Sequence, residues 1–173
     1  PLCGVAARLL WLQTPLRRSG ATGASGPWKG RAGFRMKITE SSRKRLRRLL
    51  KAFEGAKRAL VLLHDYPDPD AIASALALKR LVERRRPDCK VDIGFGGIVG
   101  RAENRAMVRA VKADLKALAD LDLSAYQVFA LVDTQPRTGN NSLPDSIRPS
   151  VGIDHHPVRP ATRRCRFHDV RTR

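Results

Sequence analysis

The chain reads as an α/β protein: an open, mostly parallel sheet with flanking helices. Two observations predict this. Short apolar runs alternate along the chain with longer stretches of helical periodicity, the order that builds βαβ units. The apolar runs are also continuous rather than alternating, which suits strands buried on both faces of a parallel sheet.

The elements follow in order from Thr39. Leu46, Leu49, Leu50 and Phe53 fall at i, i+3, i+4 and i+7, with Arg43, Arg47 and Lys51 on another face, so an amphipathic helix is expected, stopped near Gly55. "RALVLLH" (58–64) is the first strand, "AIASALALKRLVERRR" (71–86) the helix after it, ended by Pro87. "CKVDIGF" (89–95) is the next strand and "GRAENRAMVRAV" (100–111) the next helix, with a weaker strand in "ADLKAL" (113–118). "YQVFALVD" (126–133) and "SVGID" (150–154) are two further apolar strands. No internal repeat is present, and the crossovers are expected to be right-handed.

Residues 1–35 do not read as part of the domain. They hold six Lys or Arg and no acid. That is the composition of an organellar transit peptide, and equally of upstream sequence read in frame ahead of a start at Met36. The remaining residues, 36–173, fit one domain.

Hydrophobic content of 42% with 29% charged residues is globular, and no run reaches the roughly 18–20 apolar residues of a membrane span. Cys3, Cys89 and Cys165 are odd in number, far apart and free of any CxxC pair, which points away from a disulfide framework or a cysteine zinc site. A reducing, cytoplasmic setting is the expectation, with an organellar one as the alternative. The 34 basic and 16 acidic residues give +18, and residues 36–173 alone remain at +12. An Arg-rich excess of this size attracts polyanions, although it also describes a solvated surface.

Against that charge, "HDYPDPDAIAS" (64–74) gathers a histidine and three aspartates directly after the first strand. In open α/β sheets ligands bind outside the carboxyl ends of the strands. Asp133 ends one later strand, and Asp154, His155 and His156 end another, so three strands deliver acids and imidazoles to one edge. Each cluster has a plainer explanation: Asp70 as the N-cap of the next helix, "DHHP" as a hydrogen-bonded structural cluster, Asp133 as an ordinary strand end. Their conjunction favours a metal centre. Mixed carboxylate and imidazole donors suit manganese, iron or zinc better than calcium, and a pair of ions sharing a carboxylate suits phosphoryl transfer.

"HDYPDPDAIAS", "VDTQP" and "GIDHHP", in that order, resemble the first three motifs of the DHH phosphoesterase superfamily, over about residues 40–173. That group includes RecJ exonucleases, oligoribonuclease/pAp phosphatases, cyclic dinucleotide phosphodiesterases and inorganic pyrophosphatase relatives. The first motif is most similar to those of the oligoribonuclease/pAp phosphatase and cyclic dinucleotide branches. The resemblance implies a phosphate-containing substrate, namely a short oligonucleotide, pAp or a cyclic dinucleotide, and two Mn²⁺ ions, with Mg²⁺ or Co²⁺ as substitutes. It implies that His64 and Asp68 bind one ion, Asp70 and His155 the other, and that Asp133 serves both. Asp133 and His156 are the implied catalytic residues, His156 facing the scissile phosphate. Asp154 is read as a group that orients the imidazoles, and Ser74 as a residue packing its helix on the sheet. In the family a further metal-binding aspartate and a DHHA1 domain follow. This sequence ends at "FHDVRTR", and Asp169 stands too close to the triplet to be that aspartate. The expectation is therefore a partial DHH domain without DHHA1, of reduced activity.

Three further signals carry less. "GFGGIVG" (94–100) departs from the G-x-G-x-x-G spacing, so a loop near the site is expected there, with "GRAENR" supplying polar groups on the substrate side. The arginines of "VRPATRRCRFHDVRTR" (158–173) read as a solvated tail, or as contacts to a nucleic acid backbone. The competing overall reading is a non-catalytic, basic nucleic-acid-binding fragment that needs no metal.

Overall fold

A computed structural model describes residues 38–171. The Arg-rich leader and the Met36 start lie outside the described residues. The elements are α1 (Glu40–Lys51), β1 (Arg58–Leu62), α2 (Pro69–Arg85), β2 (Lys90–Phe95), α3 (Ala102–Ala110), β3 (Leu115–Ala117), β4 (Val128–Val132), β5 (Val151–Asp154) and β6 (Phe167–Val170), with short 3₁₀ turns at 118–120, 123–125 and 160–164.

Each helix begins where the local chemistry allows. Thr39 caps α1 by accepting from the Ser42 amide at 3.1 Å. Leu49 and Phe53 are buried and Arg43, Arg47 and Lys51 exposed, as the periodicity requires. Phe53 lies just past the helix, in a turn that runs to Gly55 at φ 75°, a conformation glycine adopts without penalty. In α2, Asp68 is the N-cap and Pro69 occupies the first helical position, where its missing N–H costs nothing. The capping role offered to Asp70 thus belongs to Asp68.

The six strands form one all-parallel sheet in the order β3-β2-β1-β4-β5-β6. The two central strands are buried almost throughout, and each fully buried Leu or Val there contributes roughly 1.5–3 kcal/mol. On one face, Ala59, Val61, Leu63, Val91, Ala130 and Val151 pack under α1 and α2, with Met107 and Val108 of α3 at the margin. On the other, Leu60, Leu62, Phe129 and Leu131 are covered by Leu118, Leu121, Leu123, Tyr126, Leu143 and Ile147, which come from turns and loops rather than helices.

The segment read as a solvated tail is instead part of the fold. Thr162, Cys165 and Phe167 are buried, and β6 pairs with β5 from Val151↔Phe167 to Asp154↔Val170. An edge strand needs few apolar side chains, so its short "FHDV" alternation is masked by the surrounding arginines. Among the described residues no helix is long and apolar enough to cross a membrane.

Chain order sets the position of the site. The chain runs outward from β1 through β2 to β3, then returns to the other side of β1 and runs outward again through β4, β5 and β6. The order reverses between β1 and β4, and the crevice beyond their carboxyl ends is where such sheets hold ligands. His64 follows β1, and Asp133 follows β4.

Candidate metal centre

Asp133 is the hub. Its amide still donates to the Ile153 carbonyl at 2.9 Å, so it closes the β4–β5 ladder, but its φ is 58°. A non-glycine residue held there costs on the order of 1–2 kcal/mol, a strain that persists where surrounding structure enforces it. The turn brings its carboxylate to two imidazoles. His155 Nε2 is 3.2 Å from Asp133 Oδ1, and His64 Nε2 is 3.8 Å from Asp133 Oδ2. Two groupings of donor atoms, each within 4.8 Å, share this residue: His64, Asp68 and Asp133, and Asp133, Asp154, His155 and His156. Burial pushes the Asp133 carboxyl above its ordinary range and the nearby charge of Asp68 adds to that, while His155 and His64 oppose it. Clustered carboxylates that disfavour one another's charge are what a bound cation relieves.

Asp68 belongs to the first group while its Oδ1 accepts from the Ala71 amide at 2.9 Å. A carboxylate has about four acceptor sites, so capping and ligation are compatible. Asp70 sits in the first turn of α2, where its charge complements the helix dipole, and is in neither grouping. Ser74 is half-buried on α2.

Asp154 is committed to positioning. Its Oδ1 accepts from His156 Nδ1 at 2.8 Å and from the His155 amide at 2.8 Å. A carboxylate can only accept, so Nδ1 carries the proton and Nε2 of His156 is left for another partner. That bond is the main reason the His156 pKa is raised. The His155 and His156 rings lie 4.2 Å apart, centroid to centroid.

The other oxygen of Asp154 is held by a residue that sequence reasoning passed over. Gln135, almost fully buried, donates from Nε2 to Asp154 Oδ2 at 2.6 Å and to the Pro157 carbonyl at 3.0 Å. Its Oε1 accepts from the Arg159 amide at 2.8 Å and from Thr162 Oγ1 at 2.7 Å. One side chain thereby ties the turn after β4 to the histidine loop after β5. The "TQPRTGNNS" segment (134–142) is similarly self-bonded: Asn141 Nδ2 donates to Thr134 Oγ1 and to the Gln135 carbonyl, each at 2.9 Å. Its density of Thr and Asn was the available signal.

The loop after β1 is held from three directions. The Asp65 amide donates to the Asn140 carbonyl at 2.8 Å, and Ser142 Oγ to Asp65 Oδ1 at 2.9 Å. Asn104 of α3, buried, donates to the Pro67 carbonyl at 3.0 Å, so this residue of "GRAENR" supports the site and does not face a substrate. Gly96 and Gly97 let the loop after β2 approach: a Cβ on Gly96 would stand 2.2 Å from Asp65 Oδ1, and Gly97 has φ 61°. Of the "GFGGIVG" stretch, Gly94 and Phe95 end β2 and residues 96–100 are the loop beside the site.

Beside the histidines an open cleft of about 530 Å³ is lined by His156, Asp154, Thr138, Asn140 and Arg159, among others. The arrangement offers a shared carboxylate, two imidazoles on its different oxygens, a further imidazole fixed by its inner nitrogen, and room for a ligand.

No protein-family profile matches the chain. It is similar to an uncharacterized protein of Methanocaldococcus jannaschii, 41% identical over 132 residues that make up 75% of this chain and 26% of that protein. The chain thus spans about a quarter of the length of that relative.

Proposed function

We propose that the chain is a metal-dependent phosphoesterase of the DHH type, cleaving phosphodiester or phosphomonoester bonds in short oligonucleotides, pAp or cyclic dinucleotides at a two-manganese site. The observation that carries this reading is the sharing of Asp133 between two donor groups, with His64 and His155 at its different oxygens. The donor set fits the ions, since it combines hard carboxylate oxygens with imidazole nitrogens. His64, Asp68 and Asp133 would hold one ion, and Asp133 and His155 the other. When bound, such ions supply Lewis acidity, acidifying water and neutralising charge on phosphoryl oxygens.

The chain's own residues do the rest. Asp154 holds the His156 imidazole and the His155 backbone amide, and Gln135 holds Asp154. His156 Nε2, at the cleft, would donate to a phosphoryl oxygen as negative charge builds there, its ring held by the Nδ1 bond to Asp154. Thr138 and Asn140 line the cleft as neutral polar partners for a substrate.

The test is turnover of a 5′-phosphorylated dinucleotide with and without Mn²⁺. Manganese-dependent release of nucleoside monophosphate, reduced to background by Asp133→Asn in a protein with an unchanged circular dichroism spectrum, supports the reading. Turnover that survives either chelator or that substitution contradicts it.

A further inference from the structure

Two smaller cavities continue from the cleft at His156. The first, about 300 Å³, shares Arg159 and Pro160 with the cleft and adds Pro136, Arg137, Ala161 and Arg164. The second, about 140 Å³, shares Pro136, Arg137, Ala161 and Arg164 with the first and reaches Arg148. The three form a trough from the histidines to Arg148, between the loop 136–149 and the 3₁₀ turn at 160–164. Arg159, Arg137, Arg164 and Arg148 occur along it, and in the two smaller cavities the sole carboxylate is Asp145.

Two details separate this trough from a solvated basic surface. Arg137 has φ 61°, a left-handed conformation that glycine would adopt without strain, so the fold carries a cost to keep a guanidinium at that position. Arg148 is ordered by donating to the Arg164 carbonyl at 2.6 Å. The Arg137–Asp145 contact, 3.7 Å between exposed side chains, is worth little and leaves Arg137 available to an anion. The far end is also apolar, with Leu143, Pro144, Ile147 and Pro149 among its lining.

We propose that this trough binds the strand that continues beyond the scissile phosphate of a short single-stranded oligonucleotide, its phosphates on Arg159, Arg137, Arg164 and Arg148 and a base or sugar on the apolar end. This deepens the phosphoesterase reading and rests on it for the position of the scissile phosphate. Guanidinium groups match phosphate oxygens bidentately. An extended trough fits a chain of phosphates better than a mononucleotide, and the apolar side chains that line its far end, with Leu143 and Ile147 also packing on the sheet, suit a base or sugar better than a bare phosphate. Without an aromatic lining residue, binding is expected to be sequence-tolerant and dominated by the backbone.

The experiment measures fluorescence anisotropy of a labelled single strand about six nucleotides long, in EDTA, across a salt series. Binding by the unaltered chain is expected to weaken about tenfold or more in Arg137→Gly/Arg164→Ser, with the log–log salt slope reduced by about 1.4, or 0.7 per lost phosphate contact. Arg137→Gly removes charge while relieving its backbone, so lost binding at an undiminished Tm is not unfolding. Arg80→Ser/Arg84→Ser, which removes the same charge from the exposed side of α2, is expected to change affinity less than twofold. Equal weakening in the two double variants overturns the trough in favour of diffuse charge. Equal displacement by inorganic polyphosphate of matched length overturns the nucleotide assignment. Because binding is read without metal, an absence of Mn²⁺-dependent turnover would count against the phosphoesterase reading and leave this result unaffected.

Discussion

Gln135 Nε2 donates to Asp154 Oδ2 at 2.6 Å, and neither residue has appreciable contact with solvent. A neutral amide thus fixes a buried carboxylate that in turn holds the His156 ring and the His155 backbone amide. Replacement by leucine keeps the volume but leaves the Asp154 oxygen, the Arg159 amide and Thr162 Oγ1 without their partner. At about 1–3 kcal/mol for each stranded group, partly recovered by water, Gln135→Leu is expected to cost about 2–4 kcal/mol in urea denaturation. A change under about 0.5 kcal/mol, the size of an ordinary surface substitution, would show that the network contributes nothing.

Gly96 tests the loop that presents His64. Its backbone is not left-handed, so the objection to a side chain there is purely steric: Asp65 Oδ1 at 2.2 Å and Ser142 Oγ at 2.4 Å from an added Cβ. Gly96→Ala forces Asp65 and Ser142 apart, at a cost of about 1–3 kcal/mol, and is expected to weaken Mn²⁺ binding. Isothermal titration calorimetry and thermal melts of the same variant check both outcomes.

A pH dependence originates at the other end of β2. Burial acts to raise the Asp92 carboxyl, but hydrogen bonds from Lys116 at 2.6 Å, Arg58 at 2.9 Å and the Tyr126 hydroxyl at 2.8 Å outweigh it, holding the group well below the usual carboxylate range. A folded-state pKa below the unfolded value of about 3.9 gives stability that is fully present above pH 4 and is lost as pH falls toward the folded value. Asp92→Asn is expected to destabilise by about 2 kcal/mol at pH 7, less than a fully buried pair because Arg58 and Lys116 keep solvent access. The gap should narrow in denaturation curves taken below pH 4. On the alkaline side, burial and Asp92 push Tyr126 up to about 12, so stability should also decline between about pH 10 and that value.

Asp68 and Asp70 separate assignment by motif from assignment by geometry. Both stand in "HDYPDPDA", and the family pattern implies that both are ligands, yet only Asp68 joins a donor group. Asp68→Asn is therefore expected to lower Mn²⁺ affinity more than Asp70→Asn, by about tenfold, as read by calorimetry. Equal losses would restore Asp70 to the site.

Much of the fold was legible because central parallel strands announce themselves: "ALVLL" and "VFALV" have no polar residue to obscure them. His64, Asp133, Asp154, His155 and His156 could be placed from the same runs, since strand ends fix where side chains gather. The supporting residues could not. Gln135, Asn104 and Ser142 act through loops whose path depends on tertiary contact, and no periodicity marks them. β6 was hidden for a related reason, since an edge strand is half solvated and its pattern merges with the arginines around it. The capping role went to Asp68 rather than Asp70 because Pro69 fits the first helical position and so fixes where α2 starts.

The most direct test is the number of Mn²⁺ ions held by the folded chain and whether they sense one another, measured by calorimetric stoichiometry with electron paramagnetic resonance. Two ions per chain with an exchange-coupled spectrum, both lost in Asp133→Asn, is the predicted result. One isolated ion, no binding, or a coupled pair that survives loss of the Asp133 carboxylate would contradict a shared-carboxylate centre.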